Sequence, residues 1–300
     1  MAKNMTRRAW PRGGVRTSLP VTIYRRDTAH PEAADWAARV VSNGGTVGTS
    51  LPAVNAFCNA IDAAGIRDRF FRLNLFAGNS DASLNAVRTP LFLGPSLGGT
   101  QYGETTDTNN NFLAADYSEA SGLQGNGSTK YLNTGVPMNF ANLRDYHLSS
   151  YVSSITSGNA GFIGADTDGD GVSPRGFQSL ASFASATRAW VWYNIGTTFR
   201  ESTNSSNSYA PGLLTGVGSA AANNLYVGSS SVASVGAGTN ETISRTFPVY
   251  VFAHNGRNTS VVSYANARLG GYSLGLTMTA TQVGQYNTAL AAFNSALGRA

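Results

Sequence analysis

The spacing of apolar and polar positions is most regular in residues 265–298. Leu269, Tyr272, Leu274 and Leu276 mark the apolar side of a strand, and Gly270-Gly271 interrupts the alternation as a β-bulge does. Thr279 stands three residues before Gln282. In that T-x-x-Q spacing each side chain satisfies the other residue's free backbone N–H at a helix start. Val283, Tyr286, Leu290, Phe293 and Leu297 then follow at steps of 3 or 4, one face of an amphipathic helix, and Gly298 supplies the left-handed stop. A helix with one apolar stripe must lie on something, and the surface the rest of the chain offers is β-sheet.

Upstream, the pattern predicts two short helices. Pro31 suits a first helical turn, Glu32 and Asp35 lie near its positive end, Trp36 and Val40 share a face, and Asn43-Gly44-Gly45 closes it. Ser50 is placed to cap a second helix carrying Val54, Phe57, Cys58 and Ile61, which Gly65 stops. Residues 67–76 alternate well enough for a strand, with Phe71, Leu73 and Leu75 on one side. From about Leu91 onward, short apolar or alternating runs are separated by Gly, Asn, Ser and Thr clusters. The candidate strands are 111–115, 131–134, 146–152, 161–164, 188–195, 197–201, 224–228, 247–254 and 261–269. This spacing predicts a sandwich or jelly roll rather than βαβ units, with the helices capping its ends or covering an edge.

Composition agrees with that picture. The 300 residues are 42% hydrophobic and 12% charged, with 34 glycines, which fits a folded chain with many turns. No apolar run approaches the roughly 18 residues of a membrane span. The basic N-terminus lacks the apolar stretch of a secretory signal, so none is expected. The single cysteine, Cys58, excludes an internal disulfide framework and a cysteine-based zinc cluster, and its place on a helical face predicts a buried thiol.

Charge changes the picture once it is located. Residues 1–30 hold Lys3, Arg7, Arg8, Arg12, Arg16, Arg25 and Arg26 against Asp27, a net +6, and the remaining residues sum to −1. This segment has no useful helical or strand period, so it is expected to order only against another surface. Trp10, Pro11, Leu19, Pro20, Val21, Ile23 and Tyr24 interleave the bases. That mixture favours docking on a neighbouring protein over neutralising nucleic-acid phosphates.

Residues 122–135 (GLQGNGSTKYLNTG) resemble the opening strand of concanavalin A-like, laminin-G-like jelly rolls. There a Gly-x-Gly turn feeds a strand ending in Tyr-Leu-x-Thr-Gly. The run 272–277 (YSLGLT), the capped helix and Ala296-Leu297-Gly298-Arg299 look like the end of the same domain, in the version found in structural proteins of tailed phages. Asp35-Trp36 through Gly44-Gly45 and the run 71–76 (FRLNLF) look like the leader that precedes it. The resemblance covers roughly residues 32–299, rests on glycine and aromatic signatures of fold, and implies no particular chemistry. The basic segment lies outside it.

Three stretches carry candidate chemistry. Asp166, Asp168 and Asp170, in the order D-x-D-x-D-G, place three carboxylates on one side of a tight loop, and calcium is the candidate cofactor. The twelfth position of an EF-hand would be Glu and here is Phe177, so this is not an EF-hand, and a solvated acidic hairpin tip is the competing reading. Trp190 and Trp192 share one face of a strand. They fill the core if that face is inward, which is the default, and stack on sugar rings if it is outward. Residues 103–111 (GETTDTNNN) are read as a solvated loop.

Catalysis has little support at this level. The five glutamates, Glu32, Glu104, Glu119, Glu201 and Glu241, are far apart, and the Glu-x-Asp-x-(x)-Glu strand of the related glucanases is absent. His30, His147 and His254 are isolated from any Gly-x-Ser-x-Gly elbow. The expectation is therefore a mainly β chain: a concanavalin A-like jelly-roll β-sandwich at 90–300 with a C-terminal helix, preceded by a helical hairpin and connecting strand at 31–89 and an extended basic arm at 1–30. With the resemblance, this implies a non-enzymatic virion protein assembled in the host cytoplasm. It would decorate capsid or tail, with Arg7, Arg8, Trp10, Arg12, Arg16, Arg25 and Arg26 anchoring it to a major capsid or tail protein and to copies of itself. The alternative is a lectin-like module of a tail or fibre that binds a host-surface glycan. Neither nucleic acid nor membrane is an expected partner.

Overall fold

The computed structural model describes residues 29–142, 144–155, 160–166, 177–182, 189–195, 198–203, 211–236, 246–256 and 260–299. At residue 166 and in 177–182, 189–195 and 198–203 it is the backbone that is described. The chain begins with α1 (Pro31–Ser42) and α2 (Leu51–Ala63), then β1 (Phe70–Asn74), β2 (Thr108–Asn110), β3 (Tyr117–Ser118), β4 (Gly122–Gln124), β5 (Tyr131–Pro137) and β6 (Tyr146–Ile155). There follow β7 (Ala160–Asp166), β8 (Phe177–Ser182), β9 (Ala189–Ile195), β10 (Thr198–Thr203), β11 (Gly212–Gly218), β12 (Ala222–Val227) and β13 (Ser230–Gly236). Last come β14 (Pro248–Val251), β15 (His254–Gly256), β16 (Ser260–Val262), β17 (Ala267–Gly275) and α3 (Ala280–Ala296).

The strands form two sheets, so the chain is a mainly β sandwich with three helices, one of them C-terminal. One sheet runs β13-β12-β11-β6-β17-β4-β3, with β1 added alongside β17. The other runs β10-β9-β8-β7-β14-β5-β2, with β15 and β16 attached at β7. Leu123, Leu148, Leu269 and Leu274 of the first sheet meet Leu132, Val136, Ile163 and Val251 of the second in one apolar core. The opposite face of the first sheet is covered by α1, α2 and α3. There Trp36, Phe57, Tyr286 and Phe293 pack with Phe70, Leu73, Leu213 and Val217. The helices thus cover a face, and not the ends or an edge as the sequence suggested. We call this the covered sheet and the other the open sheet.

Burial on both sides explains β1, whose five residues are all buried. A register shift between Phe70 and Arg72 separates residues that strict alternation would place together. Phe71 enters the sandwich core, stacked on Tyr102 with ring centroids 4.2 Å apart, while Leu73 and Leu75 face the helices. The shared face expected for Phe71, Leu73 and Leu75 is therefore corrected. The approach of β1 to β17 is close: a β-carbon at Gly275 would lie 1.9 Å from the Arg69 carbonyl oxygen.

The C-terminal reading holds in detail. The register shifts between Leu269 and Gly271, and Thr279 and Gln282 form the reciprocal cap, with Gln282 N–H donating to Thr279 Oγ1 at 3.2 Å and Thr279 N–H to Gln282 Oε1 at 2.9 Å. Val283, Tyr286, Leu290 and Phe293 are buried, and Gly298 has φ +72°. Cys58 is buried, and desolvation pushes its thiol pKa up to about 12. Other local expectations fail. Ser50 makes no capping bond; its hydroxyl donates to the Glu119 carboxylate and accepts from Gly78 N–H at 2.8 Å. Residues 111–115 are not a strand, and Ala114–Asp116 is a 3-10 turn. The run 247–254 divides into β14 and β15, and 261–269 into β16 and β17.

Candidate functional site

The open sheet has one face on the core, and among the described residues no helix covers the other. Strand β5 shows why this face differs from a core face: Leu132, Thr134 and Val136 are buried, whereas Tyr131, Asn133 and Gly135 are not. Directly paired residues share a face, so strand register carries this distinction across the sheet. Asn109, Leu132, Val251, Ile163, Leu180, Val191 and Ser202 form one transverse row. Its members Leu132, Val251 and Ile163 are fully buried, so this row lies on the core side.

The neighbouring row lies on the outer side. It runs Thr108, Asn133, Tyr250, Gly164, Ser179, Trp192 and Glu201. Two residues along β9, Trp190 occupies the same face, paired with Ala181 and Thr203. For Trp190 and Trp192 the structure gives backbone pairing alone, and that pairing puts their positions in the outer row. Both positions belong to the outer face, in line with Tyr250 and beside Glu201.

At the other end of the row stands an aromatic cluster that sequence reasoning missed. The Tyr131 ring centroid lies 4.7 Å from that of Tyr250 and 6.2 Å from that of Tyr264. Burial, and then the adjacent Tyr131, raises the Tyr250 pKa above the ordinary phenol value, and the same causes raise that of Tyr264. These two phenols are neutral near pH 7 and able to donate and accept hydrogen bonds. Asn133 Oδ1 accepts from Gly135 N–H at 2.9 Å. The available signal was alternation: tyrosines between aliphatic residues in Tyr131-Leu132 and Val249-Tyr250-Val251 occupy the polar phase of their strands.

The other predicted positions separate from this cluster. Asp166 ends β7, its backbone paired with Phe177 on one side and Gly256 on the other. Asp168 and Asp170 lie outside the described residues, as do Arg7, Arg8, Trp10, Arg12, Arg16, Arg25 and Arg26. Among the described residues no three His, Cys, Asp or Glu side chains are grouped to hold a metal, and the calcium reading rests on the D-x-D-x-D-G order alone. The solvated reading of 103–111 is corrected at Asp107, which is fully buried against Arg72. A separate cavity of about 200 Å³ beside α1 is lined by Glu32, Asp35, Arg39 and Arg67. Its charges pair with one another, Arg67 with Glu32 at 2.7 Å and Arg39 with Asp35 at 2.8 Å, so it offers little net attraction to a charged ligand.

No protein-family model matches the chain, and no curated protein does. Among solved structures, it is similar to domain 4 of AbnA, a GH43 extracellular arabinanase from Geobacillus stearothermophilus in complex with arabinotriose. The identity is 12% and the TM-score 0.45, over 73% of this chain and 98% of that one. It is also similar to the NanB sialidase from Streptococcus pneumoniae (11%, TM-score 0.44, 55% of this chain and 27% of that one). A third is the enzymatically active domain of tailspike protein 2 of bacteriophage CBA120 (11%, TM-score 0.38, 63% and 32%). The chain spans about a quarter of the NanB sialidase chains it matches. These likenesses are loose, and the two-sheet architecture stands on the strand pairing above. One expectation is nevertheless corrected. The chain was read as non-enzymatic, yet the structures it resembles are mostly sialidases and glycoside hydrolases, so a sandwich of this kind does not separate binding from catalysis.

Proposed function

We propose that this protein is a glycan-binding surface module of a tailed-phage virion, with the outer face of the open sheet as its binding surface. The observation that carries the glycan reading is the Tyr131–Tyr250–Tyr264 cluster on the face of the open sheet that no helix covers among the described residues, with the Trp192 and Glu201 positions in line with it by backbone register. Aromatic side chains on a sheet offer apolar faces to the C–H surfaces of sugar rings, and the phenols and Asn133 offer partners for hydroxyls. The virion placement is supported by the leader, opening-strand and closing-helix resemblances and by the +6 segment at residues 1–30. In that placement the basic segment docks the module on a major capsid or tail protein and on further copies of this chain.

The test is a glycan array probed with the full chain and with Tyr250→Ala and Trp192→Ala variants, with release of new reducing ends followed on every glycan bound. Binding by the wild type that both variants reduce at least tenfold supports the reading, since stacking on one aromatic is worth on the order of 1.4 kcal/mol or more. Binding that neither variant alters places the ligand elsewhere. Reducing ends released by the wild type would add a hydrolytic activity to the same surface.

A further inference from the structure

We propose that the cavity beside α1 is a second ligand site, which takes a single neutral sugar residue through two adjacent hydroxyls. This goes beyond the glycan reading above, and the cavity shares no lining residue with the tyrosine cluster of the open sheet. Its volume is about 200 Å³, and its walls are one face of α1, the Arg67 side chain and the segment 91–105. A cavity of about 150 Å³ holds one benzene ring. This one therefore has room for a single six-membered ring with its hydroxyls. Leu91, Leu93 and Leu97 give it an apolar side. Residues 96–99 form an exposed mouth, a tight turn in which Gly99 N–H donates to the Ser96 carbonyl at 3.2 Å and Gly98 has φ +69°.

The charged lining is fixed before any ligand arrives. Arg67 Nε donates to Glu32 Oε1 at 2.7 Å and Nη1 to the Gly94 carbonyl at 2.7 Å, while the guanidinium lies 3.7 Å from the centroid of the Phe92 ring. Arg39 is held by Asp35 and by the Pro90 and Leu91 carbonyls at 2.6 and 2.9 Å. Tying α1 to the chain after Thr89 accounts for all these bonded atoms. It does not account for Glu32 Oε2 and Arg67 Nη2, which have no hydrogen-bond partner among the described residues, although Glu32 is only 6% exposed. A carboxylate this buried costs free energy for an oxygen left without a donor. A hydroxyl both donates and accepts. Two adjacent hydroxyls on one ring thus match the two partners of this ion pair: one donates to Glu32 Oε2 and its neighbour accepts from Arg67 Nη2. The C–H surface of the ring meets the leucines. The four lining charges cancel, so a charged sugar is repelled by one member of each pair as it is attracted by the other.

The experiment titrates the full chain with methyl glucoside, methyl galactoside, glucuronate and cyclohexanol by saturation-transfer NMR, for the wild type, Glu32→Gln and Ser96→Trp, with circular dichroism to verify folding. At least one methyl glycoside is expected to bind about tenfold more tightly than cyclohexanol, a ring of similar size with one hydroxyl, and more tightly than glucuronate. Glu32→Gln keeps the shape and removes the charged acceptor, and is expected to weaken glycoside binding about tenfold. Ser96 is exposed at the mouth, so Ser96→Trp blocks entry without touching either ion pair; it is expected to abolish binding and serves as the test if Glu32→Gln fails to fold. Cyclohexanol bound as tightly as the glycosides overturns the paired-hydroxyl contact. Tighter binding of glucuronate overturns the neutral class. Glycoside binding that Ser96→Trp leaves unchanged, or no binding of any probe to the wild type, overturns the site. The open-sheet reading stands or falls separately, on its own variants Tyr250→Ala and Trp192→Ala.

Discussion

Arg72 Nη2 and Asp107 Oδ1 stand 2.7 Å apart, and neither side chain reaches solvent. The pair ties β1 to the loop entering β2, and its remaining valences are filled. Arg72 Nη1 donates to the Tyr102 and Glu104 carbonyls at 2.9 and 2.8 Å. Asp107 also accepts from the Tyr272 hydroxyl at 2.7 Å and from Asn74 Nδ2 at 2.9 Å. With Asp107 as acceptor, the Tyr272 phenol is held in its protonated form by burial and the adjacent carboxylate. Asp107→Ala leaves a guanidinium buried without its counter-charge, and a loss of about 3–5 kcal/mol in urea unfolding is expected. The double variant Arg72→Met/Asp107→Leu should lose less than Asp107→Ala alone. An exposed pair would show the reverse order, with Asp107→Ala nearly silent.

Asp107 also shows what sequence reasoning could and could not reach here. Signals confined to a few neighbouring residues were legible: the Thr279–Gln282 cap, the Gly270-Gly271 bulge and the stripe on α3 all depend on backbone groups within one or two turns. The same reasoning missed Asp107 because its partners, Arg72 and Tyr272, are 35 and 165 residues away. Ser50 read as a cap because its local spacing allowed one, but Glu119, 69 residues on, takes its hydroxyl. The candidate site fell between these cases. That Trp190 and Trp192 share a face follows from alternation alone. Which face it is depends on register through β7 and β14, and this becomes visible only when Ile163 and Val251 are seen to be buried.

The second prediction concerns His147, buried between β17 and the helices. Leu276 O can only accept, so His147 Nδ1–H donates to it at 2.7 Å, and Nε2 accepts from the Ser273 hydroxyl at 3.0 Å. The neutral ring is thereby satisfied on both sides, and burial lowers its pKa from 6.5 to about 4. Above pH 6.5 both folded and unfolded states are neutral at this position and the full stability is present. As pH falls below that value, the unfolded state takes up a proton that the folded state refuses, so stability drops by about 1.4 kcal/mol per pH unit until the folded pKa is reached. Urea unfolding at pH 7 and at about pH 5 should differ by roughly 2 kcal/mol from this residue. A His147→Gln variant should remove that share of the slope, and an unaltered slope would refute the assignment.

Arg299 is a third point of stability that its position near the end of the sequence does not advertise. Its guanidinium donates to four main-chain carbonyls: Glu119 at 2.6 Å, Leu75 at 3.0 Å, Gly270 at 2.9 Å and Phe76 at 2.6 Å. These belong to the segment after β3, to the turn after β1 and to β17, so one side chain fastens three separate stretches of chain. Burial lowers its pKa from the ordinary arginine value. Arg299→Ala is expected to destabilise the fold by about 3 kcal/mol or more, since each buried carbonyl left unpaired costs on the order of 1 kcal/mol or above. Arg299→Lys, with three donors on a point charge, should recover only part of this. Equal stability of Arg299→Ala and wild type in denaturant would show that water replaces the guanidinium at no cost.

The chain's entry into the folded body bears on assembly. The His30 backbone N–H donates to Asn55 Oδ1 at 2.5 Å, its Nδ1 accepts from Glu32 N–H at 3.2 Å, and its Nε2–H therefore donates to Asp62 at 2.8 Å. All of these anchors lie at or after residue 30, so a chain lacking residues 1–28 keeps them and should fold with the stability of the full chain. If the basic segment is what docks this protein on its neighbours, light scattering should find the full chain as an assembly and the truncated chain as a folded monomer. The interaction should weaken with added salt if the arginines dominate it, and persist if Trp10, Leu19, Val21, Ile23 and Tyr24 do. The same monomeric mass for both chains would remove self-assembly through this segment. Docking of the seven bases on a different protein, as the proposed virion placement requires, would then be read by co-sedimentation of each chain with assembled particles.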